Sequence, residues 1–425
     1  MELLIFLYFF IALFFLYIML NKVFISPVTI FIFSQTIFFL GLIQFLDYEK
    51  KEDLIIVVIY IIAILFFGLG SSVGMLLFPY KKNAISIVNT PLIGFQRQRI
   101  TLVVAISFFL FLFFLYKTNF STLRTMFGNL FLGQSSDITD ARLQSYSVPG
   151  TAYIYMFRIV LLPTVVVAMF NKEYKYSKTV KIVSFLFMIL FSLITGQRGG
   201  FAMIMIMWML SYFIQIFYRK NRDVSKKLTK RVIWIFGVFL MVFSFMSIIN
   251  GRVSNSVIDE LFSRFLNDNQ RTAYAGFHYI FEQDTSWGRN WYEEFINVLT
   301  PGDKYLPLSK VINSIIYGTT RGTAPPCLWG SVFYNFSWIG VVLFAFFYGI
   351  LLHYVAYRCF RKEVGGIRCV LYSYMFVSLG MLVAGGPFTL VNTGFVPLIF
   401  LAFFLHVDKY SKNICVPKVS NNISR

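Results

Sequence analysis

Long runs of apolar residues dominate this sequence of 425 residues and constrain its fold more than any other feature. A helix that crosses the hydrocarbon layer of a bilayer needs about 20 mostly apolar residues. Apolar residues make up 58% of the chain and charged residues 13%, whereas soluble domains have roughly 45–50% and about 25%. The sequence therefore predicts an all-α, polytopic integral membrane protein, with one membrane domain covering residues 1–425.

Eleven of these runs are long enough to be predicted as membrane spans. They lie near residues 3–20, 28–46, 54–78, 100–116, 151–170, 180–195, 201–217, 232–249, 332–357, 369–385 and 389–406. The first run has no basic residue before it and no small-residue cleavage site after it. We therefore interpret this run as a permanent span and not as a signal peptide.

Every second connection between the predicted spans is basic, and this alternation predicts the orientation of the chain. The basic connections and the span end at Lys181 carry 24 of the 38 Lys and Arg residues and 4 of the 19 Asp and Glu residues. Cytoplasmic loops are enriched in Lys and Arg, so we place the N-terminus outside and the C-terminus inside. The net charge of +19 then reflects topology, and we expect no nucleic-acid binding because the basic residues are spread over short loops.

Two connections are much longer than the usual few residues, and both are predicted on the outer face. They cover residues 117–150 and 250–331. Long loops in compact proteins are usually functional or disordered, and the aromatic richness of the second loop argues against disorder. We therefore expect residues 250–331 to form a large helical cap over the outer face, between the eighth and ninth spans.

The sequence "TGQRGG" places Arg198 in a tight outer turn between two apolar runs. Its glycines allow positive φ angles and close approach of a ligand to the backbone. A guanidinium group matches phosphate oxygens in a bidentate way and is always charged. Arg198 is therefore a candidate anion clamp, and the alternative is a turn residue whose side chain extends to the membrane surface.

Arg158 lies about seven residues inside the fifth predicted span, roughly 10 Å below the outer surface at a rise of about 1.5 Å per residue. An ionisable group at this depth is costly and indicates function. The alternative is a structural role, in which Arg158 forms an internal ion pair or bonds to backbone carbonyl groups.

The large outer loop adds further candidate residues. Its arginines are Arg252, Arg264, Arg271, Arg289 and Arg321. In the helical stretch "QRTAYAGFHYIFEQ", Arg271, His278 and Glu282 are spaced i, i+7 and i+11, which places them on one stripe of a helix. A cation, an imidazole and a carboxylate on one face suit an acid/base site, and the alternative is an ordinary solvated face. We expect no metal and no cofactor, because no ligand cluster with suitable spacing occurs.

The stretch "RGTAPPCLWGSVFYNFSWIG" leads from this loop into the ninth span. It brings Gly330, Asn335 and Gly340 to the mouth of that span. Small and polar residues at such a place indicate either close helix packing or a pocket. Both alternatives stay open at the level of the sequence.

Several arginines at the level of the outer membrane surface suit a polyprenyl-linked pyrophosphate that carries a sugar. The lipid tail would lie between helices, and the arginines would stabilise the negative charge that develops on the leaving pyrophosphate. Aromatic residues of the loop would stack on sugar rings. Pyrophosphate binding is assigned to Arg198, Arg158, Arg252, Arg264, Arg289 and Arg321, and acid/base chemistry to His278, Glu282 and Arg271.

The number of spans, the late outer loop, "TGQRGGF" and "RGTAPPCLWGSVFYNFSWIG" together resemble the bacterial O-antigen polymerases of the Wzy type. The resemblance implies a glycosyltransferase of the inner membrane with a periplasmic active site. Its partners would be undecaprenyl-pyrophosphate-linked oligosaccharides and membrane lipid, with a chain-length regulator protein as a further candidate. Arg198 matches the Gly-x-Arg turn of the family, whereas Arg264 reaches Gly276 one residue too late for the Arg-x10-Gly motif of some members. An O-antigen ligase and a flippase or transporter of lipid-linked oligosaccharide are the alternative functions.

Overall fold

The structure is a computed structural model, and it describes most of the N-terminal quarter, the cap and the last long helices of the chain. The described residues are 1–22, 25–79, 94–131, 166, 169, 177–194, 205–214, 230, 233–234, 237, 241, 263–299, 304–320, 323–360, 366–387 and 390. Every regular element within these residues is a helix, which confirms the predicted all-α class for this part of the chain.

The helices are numbered here in chain order. They are α1 (Glu2–Lys22), α2 (Pro27–Leu42), α3 (Lys51–Leu77), α4 (Gly94–Lys117), α5 (Ser121–Phe131), α6 (Lys178–Ile194), α7 (Met205–Ile214), α8 (Asn269–Phe281), α9 (Arg289–Leu299), α10 (Leu308–Tyr317), α11 (Cys327–Phe360) and α12 (Gly366–Gly380). A short 3-10 helix, Ile43–Phe45, follows α2, and a π-helical turn, Arg264–Asp268, leads directly into α8.

Among the residues that the structure describes, five segments are long and apolar enough to cross a membrane, so this is a helical membrane protein. They are Glu2–Asn21, Pro27–Phe45, Lys51–Leu77, Gln98–Lys117 and Cys327–Cys359. These segments coincide with the first four predicted spans and with the ninth, and α6, α7 and α12 overlap three more. The remaining three predicted spans fall almost wholly outside the described residues. The count of eleven, the orientation and the inner-membrane location therefore stay predictions.

One narrow seam of α1 faces the protein. Tyr8, Ala12, Phe15 and Met19 are buried, and they recur at intervals of four, three and four residues, as one face of a helix requires. The ring of Phe15 lies against Gly68 of α3, where an added Cβ would overlap it. The other large apolar side chains of α1 are partly buried against the same core or exposed, as expected for a helix at the periphery of a membrane bundle.

The sequence "SPVT" sets the start of α2. Ser26 has extended backbone angles, and its hydroxyl accepts a hydrogen bond from the Thr29 amide while the Thr29 side chain accepts one from the Ser26 amide. This reciprocal pair is a capping box, which satisfies amide groups that the first helical turn leaves free. Pro27 occupies the first turn, where a residue without an amide hydrogen costs nothing.

Helices α3 and α11 form the central pair of the bundle, and glycines on both of them allow the backbones to touch. An added Cβ at Gly70 of α3 would overlap the carbonyl oxygen of Phe346, and one at Gly349 of α11 would overlap the carbonyl oxygen of Phe67. Small residues at helix interfaces in membranes have this effect, because packing rather than the hydrophobic effect holds such helices together.

Helix α11 is broken at Ser337, which has φ 54° and ψ −151°. This conformation is unusual for a residue with a side chain, and the break re-aims the chain where it leaves the cap. Just beyond the break, an added Cβ at Gly340 would overlap the Cβ of Phe336. Gly340 therefore leaves room for the Phe336 side chain at the break, and the two alternatives that the sequence left open, close helix packing and a pocket, both remain.

The described part of the predicted cap is helical and packs on the ends of α2, α3 and α11. Backbone atoms of Leu266 in the π turn lie against Gly41 of α2, and Pro326 lies 3.0 Å from an added Cβ at Gly276 of α8. The predicted helical stretch at 270–283 is confirmed as α8. The position of this cap on the outer face stays a prediction. The first long loop begins with α5, and its residues 132–150 lie outside the described part.

Candidate functional site

A cluster of polar residues joins the cap to the first turn of α3. His278 of α8 lies between two carboxylates: its Nε2 is 2.9 Å from Oδ1 of Asp53, and its Nδ1 is 2.9 Å from Oε2 of Glu52. Asp53 is completely buried, whereas the side chain of Glu52 is 57% exposed. Helix α8 therefore presents its only histidine to the acidic N-terminus of a membrane helix, where carboxylates also interact favourably with the helix dipole.

Asp53 is well supplied with hydrogen-bond donors for a buried carboxylate. Besides His278, it accepts a hydrogen bond of 3.3 Å from the Tyr274 hydroxyl and one of 2.6 Å from the Asp47 amide. A buried charge is tolerated only when it is paired and hydrogen-bonded. Both ring nitrogens of His278 lie 2.9 Å from carboxylate oxygens, so the imidazole is held between the two acidic side chains.

Tyr274 completes this cluster from one turn earlier on α8. Its ring meets the imidazole of His278 edge to face, with centroids 4.5 Å apart. Burial and the nearby negative charge of Asp53 raise the pKa of Tyr274 to about 12. Tyr274 is therefore a hydrogen-bond donor to Asp53 throughout the physiological pH range.

The three residues predicted on one stripe share α8 and its end, but they do not meet. Arg271 and Glu282 are exposed, and within the described residues no hydrogen bond or ion pair joins either of them to His278. Arg271 is separated from His278 by roughly 10 Å along the helix axis, and Glu282 is an exposed neighbour one turn beyond His278. The acid/base roles of these residues stay predictions, and the ring of His278 is occupied by the carboxylates of α3.

Most of the predicted pyrophosphate-binding arginines lie outside the described residues. These are Arg158, Arg198, Arg252 and Arg321. The backbone of Arg264 begins the π turn. Arg289 is in the first turn of α9, where its Nε donates a 2.9 Å hydrogen bond to Glu293. This hydrogen bond and the charge of Glu293 raise the pKa of the guanidinium group. Convergence of the arginines on one site stays a prediction.

A second polar cluster fastens the start of α9 to α11. The buried Asn335 side chain accepts hydrogen bonds from the Ser286 hydroxyl at 2.9 Å and from the Trp291 amide at 3.2 Å. Its own amide nitrogen donates to the Ser331 carbonyl at 2.9 Å, and the Trp291 indole donates to the Ser331 hydroxyl at 2.9 Å. The hydrogen bonds of the Asn335 side chain thus hold the start of α9 at the mouth of α11.

Glu294, on the next turn of α9, differs from its neighbour Glu293. Burial raises the pKa of Glu294 to about 7, and no charged group among the described residues offsets this effect. Its Oε2 is 3.7 Å from an added Cβ at Gly386, so the carboxyl group faces the segment that follows α12. A carboxyl group that titrates near neutral pH is suited to proton transfer.

Asp53 and Glu294 were not among the predicted site residues. Asp53 reads as an ordinary acidic residue in the first turn of a helix, and its pairing with a histidine 225 residues later leaves no trace in one sequence. Glu294 had a weak signal: in "RNWYEEF" it lies four residues after Asn290 and three after Trp291, which places all three on one side of the helix.

Within the described part of the chain, no three His, Cys, Asp or Glu side chains are grouped so that they could hold a metal ion. The metal-free site stays a prediction for the whole chain. Comparison with known proteins found no matching family model, no similar curated protein and no similar solved structure.

Proposed function

We propose that this protein polymerises undecaprenyl-pyrophosphate-linked oligosaccharide repeat units at the periplasmic face of the bacterial inner membrane. The observation that carries the proposal is the docking of the cap on the membrane helices through His278 and Asp53. The charge pattern of the loops assigns both the 46–53 connection and the cap to the outer side, and these two segments are in contact. A folded cap over the ends of apolar helices is suited to bind a lipid-linked sugar at the membrane surface.

In the proposed reaction the polyprenyl tail lies among the membrane helices, and the pyrophosphate lies at the level of the helix ends. Arg198 and the arginines of the cap neutralise the charge that develops as the pyrophosphate leaves. Fixed cations in a site with little water stabilise such charge strongly, and removal of one donor typically costs on the order of 100–1000-fold in rate. The growing glycan moves to a new lipid-linked repeat unit, without a nucleotide sugar.

A deletion strain tests the proposal against its alternatives, with the banding pattern of its lipopolysaccharide as the readout. Loss of a polymerase leaves lipid A core that carries a single repeat unit. Loss of a ligase instead leaves bare core with lipid-linked polymer, and loss of a flippase leaves bare core without periplasmic polymer. Either of the last two patterns would overturn the proposed reaction.

The variant Arg198→Ala refines this test. At a normal protein level in the membrane, we expect the same single-unit pattern that the deletion gives, because the pyrophosphate loses a cation. The matched control is Arg124→Ala, since Arg124 is an exposed arginine of the first long loop that is not assigned to the site. A full ladder from Arg198→Ala would remove Arg198 from the mechanism.

A further inference from the structure

One face of α9 presents hydrogen-bond acceptors that lack donors within the described residues. The side chain of Asn290 is buried, with 7% of the residue exposed, and its Oδ1 has no hydrogen-bond partner there. Glu294 lies one turn further along, and its mostly buried carboxyl group has neither a hydrogen bond nor a salt bridge to a described residue. Residues four apart on a helix are neighbours, with about 5–6 Å between their Cβ atoms.

Among the described residues, the neighbours of this pair are held by hydrogen bonds and include no cation that offsets the burial of Glu294. Trp291 is anchored between them by its bonds to Ser331 and Asn335. Gly386 closes the opposite side, where an added Cβ would lie 2.6 Å from the Ser331 hydroxyl. The absence of a side chain at Gly386 therefore lets this segment approach the Ser331 hydroxyl and the Glu294 carboxyl group closely.

The charged and titratable neighbours of Glu294 are few. Glu293, on the same helix, is paired with Arg289. The half of α11 that packs on α9 contains Cys327 and Tyr334 as its titratable residues, and the segment 381–387 has none. None of these groups supplies a positive charge to the Glu294 carboxyl group.

The chemistry of this site selects its ligand. A carboxylate and an amide oxygen repel a phosphate group, so the site does not suit the pyrophosphate. Both groups accept hydrogen bonds, and a buried acceptor without a donor is unfavourable. A ligand that presents several hydroxyl groups satisfies both of them, and a sugar is the ligand of that kind in the proposed reaction.

We propose that Asn290 and Glu294 bind the acceptor sugar, and that Glu294 is the general base that removes the proton from the attacking hydroxyl group. This inference rests on the proposed function. The hydroxyl oxygen forms a bond to the anomeric carbon of the donor as the bond from that carbon to the pyrophosphate oxygen breaks. The electron pair of the broken bond leaves with the lipid pyrophosphate, and the proton passes to the Glu294 carboxylate and then to water. No oxidant, reductant or metal takes part in this balance.

The base must be ionised, so activity has a defined dependence on pH. Burial raises the pKa of Glu294 to about 7. The carboxylate form therefore predominates above pH 7, and kcat/KM is expected to fall about tenfold per pH unit below it. A carboxylate that only supports the fold would not impose this profile on the rate.

The experiment uses the full-length protein in liposomes, with lipid-linked repeat units extracted from the deletion strain as the substrate. We expect Glu294→Gln to lower the rate of polymer formation by roughly 100- to 10,000-fold, the usual contribution of a general base. Glu294→Asp should retain partial activity. Asp284→Asn, at an exposed carboxylate of the same cap, should match the wild type.

The outcomes separate this inference from the proposed function. If the wild-type protein makes no polymer, both the proposed function and the inference that rests on it are wrong. If the wild type is active and Glu294→Gln is equally active, only the inference fails. If Glu294→Gln does not fold, the pH profile of the wild type decides: a drop below pH 7 supports the inference, and a flat profile between pH 5.5 and 8.5 overturns it.

Discussion

The contact between His278 and Asp53 predicts how firmly the cap is held, and the variant His278→Ala removes it. Removing a hydrogen-bond partner from a buried polar group costs about 1–3 kcal/mol, and more when that group is charged. Asp53 keeps the Tyr274 hydroxyl and the Asp47 amide as donors, and the His278 side chain is itself 25% exposed. We therefore expect His278→Ala to destabilise the docked position of α8 by about 2–3 kcal/mol.

Hydrogen exchange of the α8 amides in detergent measures this effect directly, because these amides exchange when the helix opens or undocks. A cost of about 2–3 kcal/mol corresponds to roughly 30- to 140-fold faster exchange, at about 1.4 kcal/mol per factor of ten. Amides in the middle of α3 provide the internal reference. Their exchange should change little, because Gly70 and Gly349 hold α3 to α11 independently of the cap.

The control variant is Glu52→Gln, at the second carboxylate that contacts His278. Its side chain is 57% exposed, and exposed ion pairs contribute about 1 kcal/mol or less. We expect at most about fivefold faster exchange in α8. Two results would refute the conclusion that the contact between His278 and Asp53 stabilises the docked cap. One is equal exchange in His278→Ala and the wild type, and the other is an equally large effect of Glu52→Gln.

Three further predictions follow from the geometry. The variant Gly349→Ala should lower the thermal unfolding midpoint in detergent by several degrees, because its Cβ meets the backbone of Phe67, whereas Gly237→Ala, with no atom within 4 Å, should not. Tyr274→Phe should cost about 1–2 kcal/mol through loss of a hydrogen bond to a buried carboxylate, measured as faster α8 exchange. Because the pKa of Glu294 is raised from its ordinary 4.5 to about 7, its contribution to stability is complete below pH 4.5 and is lost as the pH rises through 7. Glu294→Gln should therefore raise the free energy of unfolding at pH 8, by at most about 3 kcal/mol, and leave it unchanged at pH 4.5, as measured by denaturant unfolding in detergent.

The apolar helices could be predicted from the sequence because each of them is a local property of the chain. The length and the apolar character of a run such as residues 54–78 can be read directly from the sequence. The corresponding helix, α3, extends over Lys51–Leu77. The capping box at Ser26 and the helix around His278 are local in the same sense. Periodicity and end signals within one turn were sufficient for these elements.

The partners of the candidate residues could not be predicted, because they are set by the packing of segments far apart in the chain. Periodicity places His278 on a stripe with Arg271 and Glu282. In the tertiary structure, however, its two ring nitrogens contact the carboxylates of Glu52 and Asp53. The raised pKa of Glu294 depends likewise on burial beneath neighbouring segments. A single sequence shows which residues share a helix face, and only the fold shows what that face meets.

The seam on α1 has a consequence for how this chain can change over generations. Tyr8, Ala12, Phe15 and Met19 are buried against protein, other apolar side chains of the helix are partly buried against the same core, and a third group is exposed. The exposed positions are free to vary among Leu, Ile, Phe and Val, because lipid tails accept apolar groups of any shape, whereas the buried positions must keep their pattern of small and bulky residues. The information that specifies this part of the bundle is therefore concentrated in the buried face of the helix.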